Sequence, residues 1–478
     1  TNNGSLHYFF DDRMFVFASE KTMISQFLKK NKVTGNFKGI CKIESNNGIL
    51  LNIDNFKLKK INFDVNVNYE DIKDKITNVI ETNIMSNRTE NVISNNKINF
   101  SQYENEFSFF EKKFSDIKRC KKCILSENVP FILFDENGVC SFCDNYQKIT
   151  YKDISKGEAL LKKITKGKKN NSIIALSGGR DSSFGLHAMV NTFDIKPLAF
   201  TYDWGMITDL GRRNISRMCA KLGIEHILIT ADIRKKRNNI KKNVSAWLEN
   251  PHLGMIPLFM AGDKQFFYHS NVLKKKYNTN LDVWCFNPYE ITTFKDDFSG
   301  IKMWDLKKDS KLHTHEVGFT KKIQYSFFYL FQFLKNSKYL NSSLLDTFSA
   351  YLSYYFVKKD YFSIFDYIEW DEHKVNETLI QKYNWETDPF TPTTTWRIGD
   401  GTSYFYNYIY YSIVGFTETE FLRSRQIREN KITRNQALEL IKRENKPNFE
   451  AIKWYCEKIG IEFDNTIKRI NQIAHNYN

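Results

Sequence analysis

At 478 residues the chain is longer than one hydrophobic core usually serves, so two to four domains are expected. With 41% hydrophobic and 15% aromatic residues the composition is globular, and no apolar run is long enough to span a bilayer, which excludes a helical membrane protein. The net charge of +15 admits a polynucleotide partner, but lysine is spread along the whole length and a phosphate-rich small substrate accounts for the charge as well, so nucleic acid is not the expected partner. Thr1-Asn-Asn-Gly-Ser5 is polar and lacks the features of a secretory leader. The eight cysteines, four grouped and four scattered, do not form a disulfide framework, and a cytoplasmic location is expected.

Residues 1–68 read as strands. "LHYFFDDRMFVFASE" places two apolar runs around Asp11-Asp12, a hairpin signal, and "GILLNIDNFKLKKINF" gives a second meander. Residues 69–115 read as a linker with amphipathic helical character at "EDIKDKITNVIETNI". Residues 116–150 hold Cys120-x-x-Cys123 and Cys140-x-x-Cys143. Each pair can turn two thiolates toward one ion, and the spacing lies in the window of a zinc ribbon, with "FILFDENGV" between them reading as a strand and an Asn137-Gly138 turn. Four sulfur ligands leave no open position, so this metal is expected to hold structure. Cys41, Cys219, Cys285 and Cys456 are expected to be ordinary buried thiols.

From 151 to 320 the pattern alternates. "SIIAL", "PLAFTYD" and "HILITAD" are short β-rich runs separated by helical segments, which predicts an α/β fold with a parallel sheet. Residues 321–478 read as a helical, aromatic C-terminal region, with Tyr325 to Leu334 a buried helix.

"IIALSGGRDSSFGLHAM", residues 173–189, carries the main chemical signal. A strand, a glycine turn and a helix follow one another, as anion binding at a helix N-terminus requires. Gly178 and Gly179 free backbone N–H groups to face a phosphate, and Ser177, Ser182 and Ser183 add hydroxyl donors. Asp181 caps the helix or helps hold Mg²⁺. No Gly-x-x-x-x-Gly-Lys occurs here. Neighbouring strands end in Thr201-Tyr202-Asp203 and Thr230-Ala231-Asp232, and Lys264 in "AGDKQF" is a cation suited to phosphate or simply a solvated lysine.

Ser177, Gly178, Gly179, Asp181 and Ser182 together resemble the Ser-Gly-Gly-x-Asp-Ser signature of the PP-loop ATP pyrophosphatases. That resemblance implies cleavage of ATP between its α- and β-phosphates, with the loop holding pyrophosphate and Tyr202 and Asp203 beside the nucleotide. The cysteine pairs, "FNPYEITTFKDDF" (286–298) and "SRQIRENKITRNQALELIKRENKP" are similar to segments of the bacterial N-acetyl sugar amidotransferases, over about residues 115–450. This second resemblance implies an acetamido sugar as substrate and conversion of the acetamido group to an acetamidino group, with Asp181 and Lys264 in the chemistry. The rival enzyme reading is tRNA thiolation, which expects catalytic cysteines near the loop.

Thr433 to Gln436 is a capping box, and Arg428 and Arg434 beside it are candidates for a substrate anion or for a basic exposed turn. "TTTWRIGDGTSYFYNY" offers Trp396, Arg397 and Asp400 for stacking on and hydrogen-bonding a sugar, or is simply a packed loop. "GSLHYFFDDRMFVFASEKTMISQF" resembles the later strands of a class II glutamine amidotransferase domain, which releases ammonia from glutamine with an N-terminal cysteine. Thr1 is not that cysteine, so either the chain is a fragment or the domain has lost glutaminase activity, and ammonia is expected from glutamine through a missing or partner glutaminase. A homo-oligomer is compatible with these readings.

Overall fold

The structure, a computed structural model, describes residues 6–11, 14–19, 21–31, 33, 39–43, 47–52, 55–62, 100–166, 171–302, 317–357, 361–390 and 399–477. Contacts divide the chain into two units, Thr1–Phe109 and Phe110–Asn478.

In the first unit, β1 (Leu6–Asp11) and β2 (Met14–Ala18) form the hairpin expected around Asp11, in the register Phe9↔Val16. The Asp11 carboxylate accepts from the Met14 amide at 2.8 Å and closes the turn. Helix α1 (Lys21–Lys30) follows, and β3 (Cys41–Ile43) pairs antiparallel with β1 on its other side. β4 (Asn47–Leu51) and β5 (Leu58–Asn62) make a second antiparallel hairpin. The expected amphipathic segment at 70–84 lies outside the described residues.

The second unit is built on a parallel sheet of order β10-β9-β6-β7-β8, from β6 (Ser172–Ala175), β7 (Leu198–Asp203), β8 (His226–Thr230), β9 (Leu281–Trp284) and β10 (Phe362–Ser363). All six residues of β7 and all four of β9 are buried, as strands covered on both faces must be. Helices α2 (Arg180–Asn191), α3 (Asp209–Leu222), α4 (Ile233–Glu249) and α5 (Phe266–Tyr277) connect the first four strands. Local chemistry sets their ends. Thr208 caps α3, which stops at Gly223 in the left-handed region, and Asp232 caps α4 through the Lys235 amide. On one face of the sheet Ile174, Leu186, Met189, Met218, Val283 and Trp370 are packed together; on the other are Ile173, Phe200, Ile227 and Leu273.

The C-terminal region holds α6 (Phe319–Lys335), α7 (Ser343–Tyr355), α8 (Glu372–Tyr383), α9 (Ser403–Val414), α10 (Glu418–Arg428) and α11 (Arg434–Glu444), among other helices. Two sequence expectations change here. The boundary at 320 is crossed, because Phe362 and Ser363 complete the sheet beside β9, in register with Val283 and Trp284. The expected buried helix does form as α6, but only one side of it is covered. Tyr325 is buried, whereas Phe327 and Phe331 are more than half exposed, because an almost wholly apolar run does not reveal which side will find a neighbour. Among the described residues no helix is long and apolar enough to cross a membrane.

Candidate functional site

β6 ends at Ala175, and the chain turns through Ser177–Gly179 into α2, whose N-cap is Gly179. Gly178 sits at φ +79°, and a Cβ there would lie 2.2 Å from the Gly211 carbonyl oxygen, so both conformation and space require glycine. Ser177 Oγ lies 3.0 Å from Ser182 Oγ, and the Gly179 amide donates to Ser177 Oγ at 3.3 Å. The turn thus faces outward with the exposed Ser177 hydroxyl and the half-buried Ser182 hydroxyl above the start of a helix, where backbone N–H groups gather positive potential.

Asp181 in the first turn of α2 is held in place. Trp370 Nε1 donates to its Oδ1 at 2.7 Å, Asn287 Nδ2 approaches the same oxygen at 3.5 Å, and Arg180 Nε is 3.6 Å away. The buried Arg180 guanidinium stacks over Trp370 at 4.7 Å and pairs with Glu372 at 2.9 Å and Glu290 at 3.4 Å.

The loop opens into a cavity of about 460 Å³ at the C-terminal ends of the strands. The chain leaves β6 toward β7 on one side and returns as β9 on the other, which is the switch point where parallel α/β sheets leave a crevice. Ser177, Gly179, Asp181 and Ser182 form one wall, Tyr202 and Trp204 another, and Phe266, Phe267 and Trp284 an aromatic floor. Lys264 Nζ enters beside Asp263, 3.3 Å from its carboxylate, and lies over the Tyr354 ring. Tyr202 donates to Gln265 at 2.7 Å and stacks on His269. Gly399 presses against the loop, since a Cβ there would be 2.6 Å from the Ser177 carbonyl oxygen. Asp400 beside it lines the cavity and accepts from the Thr402 amide at 3.0 Å.

The structure therefore brings together Ser177, Gly179, Asp181, Ser182, Tyr202, Lys264 and Asp400, with Gly178 forming the turn behind them. Four other expectations need correction. Ser183 is buried and accepts from Trp385 Nε1 at 3.3 Å, because one helical step past Ser182 turns it into the core. Asp203 is buried, accepts from the Gly205 amide at 2.9 Å and is paired with Arg212, so its carboxylate is committed to the chain that follows β7 and does not line the cavity with Tyr202. Arg428 and Arg434 do not reach the cavity and serve the cysteines instead. Arg397, with Trp396, lies outside the described residues. Sequence reading missed Trp370, Glu290 and Gly399. Glu290 stands inside the 286–298 segment already singled out, whereas nothing local marks Trp370.

The four grouped cysteines are buried, with their Sγ atoms all within 4.8 Å of one another. The intervening segment has the expected turn, with Gly138 at φ +74°, but forms only an isolated antiparallel bridge, Phe134↔Cys140, in place of a full strand. The Lys122, Cys123 and Cys140 amides donate to Cys120 Sγ at 3.2–3.4 Å. Arg428, buried, donates to Cys143 Sγ at 3.2 Å and Cys123 Sγ at 3.5 Å, and Arg434 Nε donates to the Cys123 and Cys120 carbonyls at 2.9 and 3.1 Å. Burial pushes the Cys123 thiol up, but bonds from Cys140 and Cys143 and the Arg428 charge bring it down to about 6, while Cys140 and Cys143 are driven up by bonds to Cys120 and Cys123. Four sulfurs this close cannot all carry charge without a cation among them, and the donor set and N–H···S bonds fit a closed tetrahedral metal site. Of the other cysteines, Cys219 and Cys456 are buried, and Cys41 and Cys285 partly so.

One helix joins the two centres. α10 sends Arg428 to the sulfurs, Arg425 to the Pro288 carbonyl at 3.2 Å, and Arg423 to Glu372 at 2.5 Å, the carboxylate that also holds Arg180 beside Asp181.

No protein-family model matches the chain, and no curated protein matches its sequence. Among solved structures it is similar to the NH3-dependent NAD synthetase of Campylobacter jejuni in complex with the nitrate ion, with 13% identity over 42% of this chain and 94% of that one and a TM-score of 0.22. At that score the fold rests on the chain's own sheet order.

Proposed function

We propose that the chain is an ATP-dependent, AMP-forming amidotransferase that converts the acetamido group of a bacterial surface sugar, a nonulosonic acid or a relative, to an acetamidino group. The observation that carries this reading is the Ser177-Gly-Gly-Arg-Asp-Ser182 turn, set at the end of the central strand and facing a cavity that also holds Lys264. The N–H groups at the start of α2 and the Ser177 and Ser182 hydroxyls hold the departing pyrophosphate, and Lys264 offsets the charge that develops on the phosphates. Asp181, oriented by Trp370, would hold Mg²⁺, which supplies charge neutralisation on the phosphates when bound. The aromatic floor suits the adenine ring, and Tyr202 and Asp400 suit sugar hydroxyls.

The acetamido carbonyl oxygen attacks the α-phosphorus and pyrophosphate leaves. Ammonia then adds to the activated carbon, and AMP departs with that oxygen, leaving C=N in place of C=O. The enzyme positions the partners and keeps water out. Ammonia derives from glutamine through a glutaminase domain or partner. Zn²⁺ on Cys120, Cys123, Cys140 and Cys143 is structural, since four sulfurs complete its shell. Arg428 and Arg434 serve the cysteine site and not the sugar, whose anionic group Arg397 would meet.

Thiolation of tRNA has one observation in its favour, since Cys285 lines the cavity. Burial, with Asp181 and Asp282 nearby, pushes that thiol well above its ordinary value, which leaves it a poor nucleophile at neutral pH.

The test is incubation with ATP, an ammonium salt and a panel of acetamido sugars, with product masses and nucleotides read together. AMP and pyrophosphate should form only with a sugar that gains NH in place of O, and Asp181→Ala should abolish turnover while leaving the fold intact. Accumulation of ADP, or turnover driven by tRNA and not by any sugar, would overturn the reading.

A further inference from the structure

α6 and α7 lie side by side. Ser326 Oγ and the Tyr351 hydroxyl are 2.8 Å apart, the Tyr351 hydroxyl donates to the Lys322 carbonyl at 3.0 Å, and Lys322 Nζ donates to the Tyr355 carbonyl at 3.2 Å. The inner face of the pair is committed. Asp346 is paired with Lys236, Ser349 accepts from Gln265 at 3.2 Å, and Tyr354 lines the cavity.

The outer face is apolar. On α6, Phe319, Ile323, Phe327, Leu330, Phe331 and Leu334 recur at helical spacing along four turns, all exposed, with Phe319 and Leu334 each at 68%. On and just beyond α7, Leu345, Phe348, Leu352 and Phe356 repeat the pattern, with Leu345 at 81%. At about 200 Å² for a fully exposed large side chain, these ten leave on the order of 1,000 Å² of apolar surface to water. A typical monomer's largest apolar patch is about 300–600 Å², and a stable pairing of two proteins covers about 800 Å² on each partner.

Charge separates the possible occupants. Within α6 and α7 the one fully exposed charged residue is Lys335; Lys321, Lys322 and Asp346 are half-buried, and Lys322 and Asp346 are turned to the other helix and to Lys236. A helix that lies on an anionic lipid surface carries lysine and arginine along its polar edge, whereas depletion of charge at the centre marks a protein–protein contact. In a chain of net charge +15, this apolar face lets a second copy approach with few like charges brought together.

We propose that the α6–α7 face is the contact between two copies of this chain, packed hairpin on hairpin about a two-fold axis as a four-helix layer. The contact would back α7 and so steady the cavity wall at Tyr354.

The experiment is sedimentation velocity on the full chain over the micromolar range, with Phe327→Glu and Leu345→Glu made separately on the two helices. The expected result is a species of twice the 56.5 kDa chain mass, with each substitution raising the dimer dissociation constant at least tenfold. Both positions are exposed, so circular dichroism should show each variant folded. A monomeric wild type overturns the proposal, including the outcome in which another part of the same chain covers the face or the protein floats with anionic vesicles. A dimer that both substitutions leave unchanged overturns it equally.

Discussion

Glu372 is the point at which the buried charges of the second unit can be tested. Its carboxylate receives Arg180 at 2.9 Å, Arg423 at 2.5 Å and Gln426 Nε2 at 3.0 Å. Glu372→Leu leaves two buried guanidinium groups facing one another. Removing one partner of a buried pair costs about 3–5 kcal/mol, and because Arg423 keeps Glu444 and Arg180 keeps Glu290, about 3 kcal/mol is expected. A kcal/mol moves the midpoint of a mid-sized domain by about 2–4 °C and that of a larger unit by less, so melting should fall by about 5 °C. Turnover should fall with it, since Arg180 then no longer braces Asp181.

The partner variant Arg423→Met and the double variant complete a cycle, in which the double should lose less than the two singles together. The pH dependence adds a sign. Burial raises the Glu372 carboxyl, but Arg423 and Arg180 outweigh this and hold it below its ordinary 4.5. Its contribution is therefore present above pH 4.5 and fades as the pH falls through the lower folded value, so the gap between wild type and Glu372→Leu should narrow in acid. Additive losses in the cycle, or a gap that widens in acid, would refute the reasoning.

Three further outcomes are expected. Gly178→Ala should abolish ATP binding in a fluorescence titration, because the added methyl must displace the Gly211 backbone 2.2 Å away and the turn must leave φ +79°. The purified protein should carry about one zinc per chain by elemental analysis, and Cys123→Ser should cost folding as well as metal, read by circular dichroism and zinc content. Burial lowers His226 to about 4, below its ordinary 6.5, so its share of stability is complete above pH 6.5 and lost as pH falls toward 4; His226→Gln should flatten that limb of the denaturation profile.

The loop, the alternation of three short β-rich runs with helices and the cysteine pairs were legible because each is local: a glycine turn between strand and helix, an apolar run between helical segments, a Cys-x-x-Cys spacing; the places of β9 and β10 in the sheet were not. Ser183 and Asp203 each follow a neighbour that lines the cavity, and only the fold shows that their side chains are taken by Trp385 and by Gly205 with Arg212. Arg428 and Arg434 were beyond reach. Their partners stand about 300 positions earlier in the chain, and an arginine near a capping box carries no local sign that it will meet sulfur. Trp370 is of the same kind, joined to Asp181 only through the fold. The exposed side of α6 was misjudged because apolar composition states an appetite for burial and not its supplier.

The cleft draws on residues strung from Ser177 to Asp400, and its edge strand arrives only at Phe362. During synthesis the glycine turn emerges first and must wait for the rest. At about 5–20 residues per second the interval is on the order of tens of seconds. Until Trp370 and Asp400 have left the ribosome, Asp181 lacks its brace and one wall of the cavity is missing, so a nascent or prematurely terminated chain has the signature sequence without the cleft that the turn faces.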